Sequence, residues 1–355
     1  GVNGNNDVAN EGSISFDELT GSASLTNVNI SGGWEDNLRL SNTTGTLNRL
    51  TLTSCNIGAN SASFGNSALN LLASGSAVLK VTAMGCTFTG SRSHHVQFLL
   101  NGSGTPNGDL VLTSNSFTQS MLAVAGAGNI FVSSGGNGNP TLTYNIQSNT
   151  MRNAVGNAIN VSKGAGAGNF NGTIDSNIIG VTGVANSGSS QGNGIAIIHV
   201  GGGTHTTHIT SNSIRRYNND GILVQVGDNA SGGNGTVNAT ITGNTVKEPD
   251  SFALHGLELN VGTTASDAHF VCASIGGTGA LKNDLTSAGN NGNGGFEMRP
   301  RQRQSTTIRL PGYGGAFNDT AAVASFLAGQ NTTSGAASIS ASVASNGFVN
   351  GAACP

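Results

Sequence analysis

A short signature recurs nine times along this chain at one phase, and that fixed phase is the strongest constraint on its fold. The copies read LTNVNI, LTSCNI, AMGCTF, LTSNSF, IQSNTM, IDSNII, ITSNSI, ITGNTV and FVCASI. Their fourth residues are Val28, Cys55, Cys86, Asn115, Asn149, Asn177, Asn212, Asn244 and Ala273, so eight steps cover 245 residues, about 31 each. Three residues earlier and two residues later, every copy is apolar. A second motif lies inside each period, with apolar pairs Leu38/Leu40, Leu69/Leu71, Val96/Phe98, Leu122/Val124, Ile159/Val161, Ile195/Ile197, Ile222/Val224, Leu257/Leu259 and Phe296/Met298. Alternation with period two marks a strand with one buried face.

Helical solenoids need apolar residues at helical spacing over about a dozen residues. These segments are too short, and the 55 glycines oppose helix throughout. Sandwiches and propellers do not require the same apolar columns at one phase. A stack of coils does, because like side chains form ladders inside it. The composition agrees. Charged residues are 9% of the chain, 14 Lys+Arg against 17 Asp+Glu, which argues against nucleic-acid binding through bulk charge. No apolar run approaches the roughly 20 residues of a membrane-spanning helix, so no membrane insertion is expected.

Asn115, Asn149, Asn177, Asn212 and Asn244 hold one column in five consecutive copies. Asn tolerates the left-handed backbone and bonds nearby peptide groups. Bracketed by apolar residues, these amides are expected to form a buried ladder at a bend, with a solvent-facing turn as the alternative.

Short strands, an Asn at a tight bend and a following GI-x-V strand resemble the right-handed parallel β-helix of the pectate-lyase-like superfamily, over about residues 14–310. The resemblance implies a fold shared by lyases, hydrolases, adhesins and tailspikes. The Gly/Asn/Ser/Thr-rich style is similar to large repeat-rich surface or secreted proteins of bacteria. The expected architecture is all-β: a right-handed parallel β-helix (solenoid) of about nine coils with a short C-terminal capping helix. Residues 1–13 would be a lead-in, 14–310 the β-helix, and 311–355 a cap and tail. The helix is expected over about 319–328, with Asp319 or Asn318 as N-cap and Gly329 as its stop. The tail would return along the side of the rod. The uncapped start suits either a removed leader or a segment of a longer chain.

Cys55 and Cys86 share a column in adjacent copies. Stacking would bring their Cα atoms to about 4.8–5.5 Å, within disulfide range. Two reduced thiols continuing the Asn column are the alternative. Cys272 and Cys354 would form a second bridge that pins the tail, and disulfides suit an extracellular or cell-surface setting.

Ionisable residues gather in the seventh and eighth copies, where Arg215, Lys247, Asp220, His255 and Glu258 could share a groove. The resemblance implies either a basic residue removing a proton beside a sugar carboxylate or a pair of carboxylates acting on a glycoside. Solvated ion pairs are the competing reading, worth about 0–1 kcal/mol each. Glu258 and Glu297 align in the outward column of the second motif, and Arg299, Arg301 and Arg303 alternate after them. The HxxH of GGGTHTTH reads as an unligated surface loop, and no metal site or cofactor is expected. The function expected is a structural or adhesive solenoid that contacts glycan, matrix or neighbouring copies by head-to-tail stacking. The alternative is a carbohydrate-active enzyme, a lyase or glycoside hydrolase.

Overall fold

The computed structural model describes residues 12–119, 123–227 and 232–355. Three parallel sheets wind together into an all-β solenoid. The first holds eleven strands, from Gly12–Asp17 to Ser342–Val343. The second also holds eleven, from Gly21–Thr26 to Phe348–Val349, and the third eight, from Asn29–Ile30 to Thr245–Lys247. Seven full three-stranded turns separate the first and last strands of the third sheet, fewer than the nine coils expected. The next turn replaces that strand with a 3-10 segment, Gly279–Leu281, and isolated bridges from Asp284 to Thr245 and Thr332.

Alternation along each strand sends one set of side chains inward, and parallel stacking aligns the sets. In the first sheet Leu38, Leu69, Val96, Ile130, Ile159, Ile195, Ile222, Leu257 and Met298 form one inward column, fully buried throughout. In the third sheet the column runs Ile30, Ile57, Phe88, Phe117, Met151, Ile179, Ile214 and Val246. Two expected copies sit differently. The fourth expected copy is replaced by the strand Ile130–Ser134 and not formed by the segment at Val124, while Leu122 lies outside the described residues. Near the C-terminal end, Leu257 pairs with Met298, two residues from the expected register. Arg299 therefore lies beside Glu258, and Glu297 does not.

Between the second and third sheets the chain bends at the Asn column. Each amide is satisfied on both sides. Asn177 Oδ1 accepts from Asn149 N–H and Asn149 Nδ2, both at 3.0 Å, and its Nδ2 donates to Ile146 O at 2.8 Å and Asn212 Oδ1 at 3.0 Å. The same pattern links Asn115, Asn149, Asn177, Asn212 and Asn244. It continues beyond the expected column to Asn283 and Asn331. Ala273 is not the ninth member, because Ile241 pairs with Ile275 and the column resumes only after an insertion. The left-handed residue of the bend is not the ladder Asn but the one before it. Asn27, Ser54, Gly85, Ser114, Ser148, Ser176, Ser211 and Gly243 have φ between 52° and 68°.

Cys55 and Cys86 occupy the top of this ladder as free, buried thiols, against the expected disulfide. Cys86 Sγ stands where the amide oxygens stand below it and accepts from Cys55 N–H at 3.3 Å, while Cys55 Sγ donates to Leu25 O. The sulfurs bond along the column to backbone rather than to each other. The second expected pair does close. Cys272 and Cys354 are disulfide-bonded, with Cα atoms 5.5 Å apart.

Among the described residues the single α-helix is Thr320–Gln330, capped by Asp319 through Ala322 N–H at 2.9 Å. It runs past Gly329 and ends where Asn331 joins the ladder by donating to Ile275 O. Val323 and Leu327 are fully buried, and Phe326 meets Tyr313 edge to face. The tail does more than return along the side. Ser342–Val343 and Phe348–Val349 pair with Met298–Gln302 and Thr307–Arg309, adding the last strands of the first and second sheets.

Candidate functional site

A second ladder enters the first sheet, built from unlike residues. At six positions of one column, a backbone N–H is taken by a side-chain acceptor of the preceding turn. Ser67 N–H donates to Asp36 Oδ1, Gly128 N–H to His94 Nδ1, and Asn193 N–H to Asn157 Oδ1. Asp220 N–H donates to Asn193 Oδ1, His255 N–H to Asp220 Oδ1, and Phe296 N–H to His255 Nδ1. Asp, His and Asn serve as acceptors alike, and Gly128 shares the column without one, so it has no residue-type signature in the sequence.

At its lower end this ladder meets an outward column of the first sheet. Leu223, Glu258 and Arg299 are register neighbours, as are Asn260 and Arg301. A carboxyl oxygen of Asp220, one of Glu258 and a ring nitrogen of His255 all lie within 4.8 Å of one another, and all three residues are buried. Burial, then the Glu258 carboxylate, pushes the Asp220 carboxyl up to about 8. Burial, then Arg299 and Arg301, pushes His255 down to about 4. Asp220 therefore holds its proton near neutral pH, and the imidazole is neutral. Glu258 Oε1 faces Arg301 at 3.5 Å without hydrogen-bond geometry. Phe296 stacks on His255 with ring centroids 6.0 Å apart.

By number and type these three side chains suit a divalent metal, but the imidazole is already committed. Nδ1 faces the Phe296 amide and Nε2 faces Arg299, both at 3.0 Å, so each ring nitrogen already has a donor against it and one of the two carries the neutral ring's proton. A cation there would meet a donor-bearing nitrogen and two guanidinium groups.

Of the five residues expected to share a groove, the structure joins Asp220, His255 and Glu258 and leaves two out. Arg215 and Lys247 are register neighbours on the third sheet, each held in its own ion pair. Arg215 binds Glu248 at 2.7 Å, and Lys247 binds Asp284 at 2.5 Å. Glu248 also forms an ion pair with Arg216 and accepts from Gly183 N–H, so this cluster fastens a surface loop. The HxxH expectation is corrected as well. Thr204–Thr210 is a strand, in which His205 is buried and His208 points to the other face. The two rings cannot share a metal.

Farther up the same outward column lies a hollow of about 170 Å³, lined by Ser93, His94, Phe131, Asn157 and Asn160 among others. The column runs Phe131, Asn160, Ala196, Leu223, Glu258 and Arg299. Ala196, Leu223 and Glu258 are buried although they point outward, so this stretch is recessed. Among the described residues, no helix is long and apolar enough to cross a membrane. No family model matches the chain, and no curated protein or solved structure matches it; the parallel β-solenoid therefore stands on the structure alone, and the pectate-lyase-like superfamily stays a resemblance of sequence pattern.

Proposed function

We propose that the protein is a secreted or cell-surface β-solenoid that binds a hydroxyl-rich polymer, a glycan, along the side made by the first sheet. The observation that carries this reading is the recessed column from the Phe131 hollow to Arg299. Five strand steps at about 4.8 Å give it a length of roughly 24 Å, enough for several sugar units. Asn157 and Asn160 supply amides and Phe131 an apolar ring at one end, and charged groups line the other. The Cys272–Cys354 disulfide favours an oxidising compartment. End-to-end stacking of copies has less support, because the helix Thr320–Gln330 and the tail strands occupy the C-terminal end. Affinity electrophoresis against a polysaccharide panel tests the reading. Retardation without cleavage is expected, and a protein that no polymer retards overturns it.

One observation favours enzymatic cleavage as a second reading. A protonated Asp220 beside the Glu258 carboxylate is an acid paired with a base, the division of labour glycoside hydrolysis requires. Release of reducing ends that disappears in Asp220→Asn would establish it in place of binding alone.

A further inference from the structure

We propose that Asn350 is a self-modification site, where the C-terminal tail converts its own asparagine to aspartate or isoaspartate with water as the co-reactant. The reaction is attack by the following backbone nitrogen on the side-chain amide carbon, and a glycine in that place leaves the nitrogen unobstructed. Several Asn-Gly pairs occur among the described residues, so the pair alone selects nothing. The fold does select. Asn107–Gly108 and Asn171–Gly172 lie inside strands of the second sheet, which fix their backbone. Gly194 N–H is taken by Asp220 O, and Gly235 N–H by Gly201 O. At Asn350 the nitrogen faces its own target. Gly351 N stands 2.7 Å from Asn350 Oδ1, and both residues are exposed. Two neighbours assist. Asn350 Oδ1 also accepts from Gly312 N–H at 2.9 Å, a donor aimed at the oxygen on which negative charge develops. Arg309 runs beside Gly351, since a Cβ there would fall 2.8 Å from its Cδ and Nε. A cation so placed favours loss of the Gly351 amide proton.

Hydroxide takes the Gly351 N–H proton, and the freed electron pair forms a bond to Asn350 Cγ. The Cγ–Nδ2 bond then breaks, and the nitrogen takes a proton from water and leaves as ammonia. Water opens the resulting five-membered imide at either carbonyl, and nothing is oxidised or reduced. One opening gives aspartate. The other gives isoaspartate, whose main chain runs through Cβ and Cγ and is longer by a methylene. The position gives this change a consequence. Asn350 follows Phe348–Val349, which pairs with Thr307–Arg309, and it precedes Cys354, which is bonded to Cys272. A longer main chain between these two fixed points loosens the last strand of the second sheet while the disulfide keeps the tail attached.

Asn346–Gly347 supplies an internal reference in the same tail. Asn346 is exposed too, but its Nδ2 donates to Ser305 O at 2.8 Å, and Gly347 is buried with a φ of 69°. The test incubates the folded, disulfide-bonded protein at mildly alkaline pH and follows both asparagines by peptide mapping and mass spectrometry. An oxyanion donor in a water-excluded site is worth on the order of 10²–10³ in rate, and solvent screens this exposed one, so Asn350 should convert about tenfold faster than Asn346. In denaturant, where both glycines are released, the ratio should fall to near unity. Asn350→Gln, which would have to close a six-membered ring, should leave only the Asn346 signal. A folded ratio no higher than the unfolded one overturns the site. Conversion to aspartate without any isoaspartate overturns the imide route. In the converted fraction the Leu310 amide, which donates to Val349 O at 2.9 Å, should exchange with solvent faster. Unchanged protection there would remove the loosening of the strand.

Discussion

Replacing Asn177 with Leu separates the hydrogen bonds of the ladder from its volume. The site is fully buried, and Leu keeps the branched four-atom skeleton of Asn, so no cavity opens, although its bulkier methyl groups add packing strain of their own. The amide's partners are what change. Asn149 N–H loses its acceptor, Ile146 O loses its side-chain donor, and one proton of Asn149 Nδ2 is stranded. Asn212 Oδ1 still accepts from the Asn177 backbone N–H. Two backbone groups left unpaired in the interior cost about 1–3 kcal/mol each, so a loss of about 2–6 kcal/mol is expected. A solenoid is a nearest-neighbour stack, so the damage should concentrate in adjacent turns. Native-state hydrogen exchange reads it directly. The Asn149 amide should exchange roughly 30- to 10,000-fold faster, tenfold for each 1.4 kcal/mol. In Asn331→Leu, at the far end of the ladder, the same amide should exchange as in the wild type. Unchanged protection of Asn149 N–H in Asn177→Leu would refute the claim that side-chain amides hold the bend.

Four further outcomes follow from the packing. Denaturation and alkylation without reductant should label two thiols, Cys55 and Cys86, as read by mass spectrometry. Cys272→Ser, which opens a loop spanning 82 residues, should lower stability by about 4–5 kcal/mol in a urea titration, taking the chain-entropy account. Gly172→Ala should be destabilising by about 1–3 kcal/mol, because a Cβ there would fall 2.3 Å from ring carbons of Tyr144, which leans across that glycine to reach Thr207 and His205. Burial depresses His95 and His205 to about 3 and His199 to about 2. The folded state holds these rings neutral, so their contribution is complete above about 6.5 and is lost as pH falls below it, about 1.4 kcal/mol per pH unit per ring. His205→Gln should reduce the acid slope of unfolding free energy by one proton.

Much of the architecture was legible because a stacked coil repeats its side-chain columns, and those columns are the sequence. The bend Asn, the flanking apolar residues and the capped helix all follow from local chemistry. What was not legible concerns insertions. Alternation marks an apolar pair but cannot say which of two pairs, at Val124 or at Ile130–Val132, takes the strand when a glycine loop of free length joins them. The same freedom hid Asn283: the signal is present in Asn283-Asp284-Leu285, an Asn followed two residues later by a buried apolar residue, but five residues inserted after Ile275 shift it out of phase. A two-residue slip at Met298 was enough to exchange Glu297 for Arg299 as the neighbour of Glu258. The cysteine column was read correctly as a column but not as a hydrogen-bonding one. A thiol can stand in for an amide oxygen there, and pairing the sulfurs would surrender both backbone contacts.

The site depends on the same distinction between what a ladder requires and what it merely permits. Toward its lower end the second ladder asks each member for one acceptor, and Asn157 and Asn193 supply it with amide oxygens. Asp220 and His255 perform the same service in the turns beside Glu258, so their ionisable character is surplus to the fold. Asp220→Asn should therefore keep the ladder, since an amide oxygen still accepts from His255 N–H and the new NH₂ can donate to Glu258. The sign of its effect follows from the raised pKa. The buried carboxyl is neutral up to about 8, whereas in the unfolded chain it ionises near 3.8. Folding must hold that proton, so Asp220 costs stability increasingly as pH rises from about 4 to 8, by an amount on the order of a few kcal/mol at the upper end. The asparagine variant should match the wild type near pH 4 and exceed it at pH 8 in urea unfolding. A variant less stable at every pH would mean that the carboxyl is needed for the fold. A variant that is more stable at pH 8 would show that the fold does not select this carboxyl, and any loss of turnover or binding in it could then be assigned to chemistry at the site.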